Sequence, residues 1–226
     1  MTTATFLEDI AARDLLITVD TDFDTPAPDL LPNGDAATDL TTTVSYAYFA
    51  ESAGEFALPW GVDDWSVEAW LRWTGSPAGA LGPILGRHAS AMVPTAGEWQ
   101  LCQSGAGTPV ARFRVTFADP AAPWAQSDVA FTTGAWHHIV FTLNTSLGSG
   151  AVAGREIKAY KNATLDSTTS CPSTSVGTPS LSGPRVVFGA AGGGAAPNYL
   201  EVAKLAIYRR LLTGGEVTDH YNAMTT

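Results

Sequence analysis

The chain has 226 residues, of which 45% are hydrophobic and 15% charged. That balance excludes an extended disordered chain and a Lys/Glu-rich coiled coil, and the length suits one globular domain. Twenty-two acidic against 12 basic residues give a net charge of −10, which repels nucleic acid phosphates and anionic membrane surfaces, so neither is an expected partner.

In chain order, the first ten residues lack both a basic leader and an apolar stretch, so no secretory signal is expected and folding is placed in a cytoplasm. No run of about 18 apolar residues follows, which excludes a helical membrane span. Residues 5–13 can be helical, with Phe6, Leu7 and Ile10 at one-turn spacing. Leu15–Val19 suits an edge strand. Residues 1–24 are therefore read as an arm and first strand, ahead of a body at 25–226. A loop rich in Asp, Pro and Thr covers 21–43, and a strand is expected at 44–49.

The clearest strand is 65–73, in which Trp65, Val67, Ala69, Leu71 and Trp73 alternate with Ser66, Glu68, Trp70 and Arg72. Further strands are expected at 98–102, 110–117, 137–143, 157–160, 185–188 and 202–208, each bounded by Gly, Pro, Asn or Asp. With 22 Gly and 14 Pro as punctuation, the pattern predicts an all-β, two-sheet sandwich. A short helix is expected at 213–221, where Thr213 and Glu216 have capping-box spacing. Cys102 and Cys171 have no zinc-type spacing and are read as reduced core thiols, with a single disulfide as the alternative.

Four segments resemble the laminin G-like, concanavalin A-like jelly-roll domains. Trp65-Ser-Val-Glu-Ala-Trp70-Leu is similar to that family's early strand, and Gly134-Ala-Trp136-His137-His138-Ile-Val140 to its Trp-His-His strand. Tyr160-Lys-Asn162-Ala163 resembles its Tyr-x-Asn-Gly hairpin, and residues 205–221 its closing strand and short helix. The resemblance implies an antiparallel jelly roll. Two positions depart from it. Ala203-Lys204 stands where family members often carry Asp-Glu near a calcium ion, which argues against calcium. Ala163 replaces the glycine that a two-residue type I′ turn favours, so a longer turn is expected.

No catalytic residue is assigned. The Glu-x-Asp-x-Glu pattern by which glucanases of this fold place two carboxylates on one sheet face does not occur, and Glu68 is read as a structural hydrogen-bonding group. No Gly-x-Ser-x-Gly elbow occurs either. His137 and His138 are adjacent on a strand and point to opposite faces, so they cannot share one metal ion, while His88 and His220 are read as isolated. The glycine-rich stretch 189–194 lacks phosphate-binding spacing, and Asn144 and Asn162 fit the N-glycosylation pattern by coincidence. No cofactor and no metal is expected.

Binding chemistry remains. Trp60 and Trp124 are read as aromatic tips of loops, with Asp119 and Asp128 flanking Trp124. An exposed indole beside Asp and Gln stacks on a sugar or anchors a protein contact, covers the edge of its own core, or leaves the two aspartates to calcium. A fold used mostly outside cells, on a chain with no visible export signal, is reconciled by a bacteriophage structural protein. The expected function is thus a non-enzymatic virion component, a capsid decoration or tail-associated protein. It docks through Phe6, Leu7, Ile10, Trp60 and Trp124 on other virion proteins or its own copies, and a surface glycan is a further partner. A free carbohydrate-binding module is the alternative, and a glucanase-type hydrolase the third.

Overall fold

The computed structural model describes residues 15–19, 38–39, 46–50, 64–75, 82–88, 99–104, 109–116, 124–145, 155–171, 185–189, 200–208 and 210–225. Phe6, Leu7, Ile10, Trp60 and Asp119, and the helix expected at 5–13, lie outside them.

The alternation noted at 65–73 governs the centre of one sheet. In β4 (Trp65–Trp73), Trp65, Val67, Ala69, Leu71 and Trp73 all point into the main core and are almost wholly enclosed. Their outward neighbours Ser66, Glu68 and Trp70 are buried as well, because a helix covers that side. β4 lies between β9 (Trp136–Asn144) and β13 (Leu200–Tyr208). Adjacent to β9 come β10 (Glu156–Lys161) and then β11 (Thr164–Ser170). The far side of β13 pairs with β1 (Leu15–Val19) and β2 (Thr38–Asp39), which makes seven strands among the described residues.

The second sheet runs β3 (Tyr46–Ala50), β12 (Arg185–Gly189), β5 (Gly82–His88), β6 (Trp99–Ser104), β7 (Val110–Thr116) and β8 (Trp124–Ala130). Every pairing in both sheets is antiparallel. Trp99, Leu101, Phe113 and Val115 of this sheet meet Trp65, Phe141 and Ile157 of the other in one core. Aromatic contacts hold it together, with Trp65 to Trp99 at 5.9 Å and Phe113 to Phe141 at 5.6 Å between ring centroids. At one side the edge strands β8 and β11 meet through a 2.9 Å hydrogen bond between the Ser127 and Ser167 hydroxyls. Cys102 and Cys171 are free and buried, and burial pushes each thiol up to about 12.

β13 has to change phase to keep both its faces buried. Val202, Leu205 and Ile207 join the main core while Ala203, Ala206 and Tyr208 face the helix side. A regular strand cannot place residues three apart on one face. A bulge between Ala203 and Ala206 takes up the extra residue, and Lys204 in it has φ 49°.

The helix α1 (Gly214–Thr225) is longer than the segment expected at 213–221. Its capping box forms as read: the Glu216 amide donates to Thr213 Oγ1 at 3.2 Å, and the Thr213 amide donates to Glu216 Oε2 at 2.8 Å. Glu216 also pairs with Arg210, and these partners hold its carboxyl at about 2 although burial alone would raise it.

Three local expectations are corrected. The hairpin between β10 and β11 is not lengthened. Lys161 pairs with Thr164, and Asn162 and Ala163 form a two-residue turn with φ 49° and 66°. Type I′ geometry thus prevails over the preference of alanine, because it matches the strand twist and because Asn162 is anchored from outside: its Oδ1 accepts the His138 amide at 2.9 Å. Residues 124–130 are a strand and not a loop. Ala125, Ser127 and Val129 are its buried side, and their small side chains give a weak apolar signal. Strands β5 and β11 were not anticipated; β5 opens on Gly-Pro, and β11 (TLDSTTS) has no apolar alternation.

Candidate binding face on strands β7 and β8

On β7, Arg112 and Arg114 lie two residues apart and share the face opposite the core residues Ala111, Phe113 and Val115. On β8, Trp124, Gln126 and Asp128 take the matching positions. Register sets Arg112 opposite Asp128, Arg114 opposite Gln126 and Thr116 opposite Trp124. Arg112, Arg114, Trp124, Gln126 and Asp128 therefore form a polar and aromatic ladder on the outside of the second sheet.

Arg112 forms a fork with Asp128, with Nε to Oδ1 and Nη2 to Oδ2 both 2.7 Å. The hydrogen bonds to Asp128 raise the Arg112 pKa. Arg114 donates from Nη2 to Gln126 Oε1 at 3.1 Å, and its guanidinium carbon lies 4.9 Å from the centroid of the Trp124 ring. Burial lowers the Arg114 pKa. Trp124 is 49% exposed. Exposed pairs of this kind contribute at most about 1 kcal/mol each to stability. Their arrangement orders a surface more than it holds the fold.

Trp124 and Asp128, both singled out in the sequence, thus come together on one face, Trp124 as the first residue of a strand. Both Asp128 oxygens accept hydrogen bonds from Arg112. Arg112 and Arg114 were missed, and Gln126 entered only as a neighbour of Trp124. Their signal was the facing pair of alternations Arg-x-Arg and Trp-x-Gln-x-Asp, which register alone can align.

A second constellation lies under α1. The Glu68 carboxylate is fully enclosed and receives donors from three elements. His138 Nε2 on β9 is 2.7 Å from Oε1, the Tyr208 hydroxyl on β13 is 2.8 Å from Oε2, and His220 Nδ1 on α1 is 2.9 Å from Oε2. Burial raises the carboxyl pKa, but the hydrogen bonds and charges of His138 and His220 outweigh it and hold Glu68 far below the usual carboxylate range. Tyr208 is driven the other way, by burial and by the Glu68 charge beside it. His220 is therefore not isolated. His137 and His138 point to opposite faces as expected: His138 stacks on Trp70 at 5.2 Å, whereas His137 meets Phe131 edge-on at 5.1 Å on the core side. Asn162 is tied to the His138 amide and its Nδ2 lies 3.4 Å from His137 Nδ1, so its amide is not presented for glycosylation.

Comparison with known proteins agrees with this architecture. The described sheets resemble the binding domain of Paraclostridial Mosquitocidal Protein 1, with a TM-score of 0.64 at 14% identity over 93% of this chain and 52% of that one. The Botulinum neurotoxin serotype D binding domain gives 0.64 at 12% identity, over 95% and 52%. The serotype G binding domain gives 0.55 at 13% identity, over 92% and 45%. The chain thus spans about half the length of these solved domains, and the likeness is one of fold. No curated protein sequence matches it. The family model of the concanavalin A-like lectin/glucanases superfamily, of laminin G type, matches residues 43–218, more than three quarters of the chain. With that match added to the two antiparallel sheets and the four sequence segments, the chain belongs to the concanavalin A-like lectin/glucanases superfamily.

Proposed function

We propose that the chain is a non-enzymatic recognition domain whose binding surface is the outer face of β7 and β8. The observation that carries this reading is Trp124: a half-exposed indole fixed over Arg114, beside side chains that can donate to and accept from hydroxyl groups. An indole offers the apolar face of a sugar ring a stacking surface, and planar Arg, Gln and Asp groups read its hydroxyls. Solved relatives of this fold are named as binding domains, which supports the reading.

A hydrolytic role is disfavoured by the geometry of Glu68. A general acid or nucleophile has to reach the glycosidic oxygen or carbon, and Glu68 is enclosed and bonded to His138, His220 and Tyr208. The setting proposed for the domain is a bacteriophage virion, where it would face outward on capsid or tail. Support for that setting comes from the composition.

The test is a glycan array probed with the protein and with Trp124→Ala. Binding of defined glycans that the substitution abolishes supports the reading. Binding that survives it places recognition elsewhere, and release of reducing ends from a bound polysaccharide overturns the non-enzymatic part. Mass spectrometry of purified particles tests the virion setting.

A further inference from the structure

Charge is not balanced along the β7–β8 face. Arg112 is matched by Asp128 through two hydrogen bonds. Arg114, on the same side, forms no ion pair among the described residues. It makes one hydrogen bond, to the neutral amide oxygen of Gln126. The Asp128 charge acts on Arg114 as well, but its two oxygens are already bonded to Arg112, so one carboxylate serves two guanidinium groups and the face has room for a second anion. Burial depresses the Arg114 pKa, consistent with such a deficit.

We propose that this face binds a sugar bearing a carboxylate, with Arg114 as the partner of the carboxylate and Trp124 stacked on the ring. The inference rests on the β7–β8 face being the binding surface. The planar fork of arginine matches a carboxylate with paired hydrogen bonds. Alternate strand residues stand about 7 Å apart, so Trp124, Gln126 and Asp128 span a saccharide unit and its neighbour. Gln126 and the Arg112–Asp128 pair lie where hydroxyls of that ligand would fall.

The net charge of −10 selects among anions. Repulsion grows with the charge of the ligand, so polyphosphates and densely sulfated polymers are opposed by the whole molecule. A single carboxylate held at Arg114 is opposed far less, since fields beyond about 8 Å are screened at physiological salt. An acidic peptide meets the cation equally well but leaves the half-exposed indole without its stacking partner.

The experiment is calorimetric titration with methyl glucuronide, methyl N-acetylneuraminide and methyl glucoside. Wild type is compared with Arg114→Gln, Arg114→Lys and Trp124→Ala, each first shown to melt like wild type. At least one acidic glycoside should bind tenfold or more tighter than the neutral one. Arg114→Gln should remove that preference, Arg114→Lys should keep only part of it, and Trp124→Ala should weaken all binding.

Equal affinity for neutral and acidic glycosides, lost in Trp124→Ala but not in Arg114→Gln, overturns this inference and leaves the binding face standing. No binding, or binding indifferent to every substitution, overturns both. Binding of a glutamate-rich peptide in place of the glycosides, sensitive to Arg114→Gln, replaces the sugar with a protein partner.

Discussion

Glu68 on the central strand and His220 on α1 lie 2.9 Å apart, Oε2 to Nδ1, across 152 positions of sequence. One enclosed carboxylate thus ties the helix to the sheet, beside the packing of Val217, Tyr221 and Met224 against it. Tyr208 and His138 complete it from β13 and β9. Glu68→Ala should destabilise the protein by about 3–5 kcal/mol, because three donors lose their acceptor inside the fold. His220→Ala, which removes one donor, should cost about 1–3 kcal/mol. Urea unfolding measures both, and equal losses would show that Glu68 does not act as the shared acceptor.

The same carboxylate sets a dependence on acid. Its folded pKa is depressed, so below about pH 4.5 the unfolded chain binds a proton that the folded chain refuses. The stabilisation is complete above that pH and is lost as the pH falls toward the folded value, at up to about 1.4 kcal/mol per pH unit for this one group. Unfolding free energies measured from pH 5 to pH 2.5 should show the slope, and Glu68→Gln should flatten it. An unchanged slope in the variant would assign acid sensitivity to other carboxyls.

Ala163 sits in the turn with φ 66°. Left-handed backbone costs an L-residue with a Cβ about 1–2 kcal/mol, and glycine avoids that cost at the expense of a more flexible unfolded chain. Ala163→Gly should raise stability by about 1 kcal/mol. A lower melting temperature would mean that the Cβ makes a contact worth more than the strain.

Cys102 and Cys171 are enclosed and held as thiols by pKa values near 12. At neutral pH each is almost wholly in the thiol form. Neither should react with a thiol reagent in the native protein, and both should react on unfolding. Rapid labelling of one cysteine under native conditions would show local opening around it.

The two faces of 65–73 were legible because Trp65, Val67, Ala69, Leu71 and Trp73 recur at every second position, with Trp70 the one apolar residue on the other face, and the structure keeps that division residue for residue. The capping box at Thr213 was legible for a similar reason: its signal is local. The Glu68 site was not. Its four members lie on four elements, and only strand register and the helix docking angle bring them together. Trp124 was found as a residue but misplaced as a loop tip, since Asp119-Pro-Ala-Ala-Pro ahead of it hides where the strand begins. Arg114 carried no signal until β8 was laid beside β7.

The place of β13 in its sheet bears on how the molecule is made. Leu15 pairs with Tyr208, Trp73 with Leu200, and Ser66 Oγ accepts the Leu212 amide at 2.9 Å. β13 inserts between β1 and β4, so during synthesis those two strands wait without their neighbour until Leu200–Tyr208, which begins 127 positions after Trp73, has left the ribosome. Contacts of such long sequence separation slow folding into the range of about milliseconds to seconds. Through that interval the nascent chain carries tryptophans at 65, 70 and 73 that have not yet found their packing partners. Recombinant yield should therefore respond to translation speed and to chaperone supply.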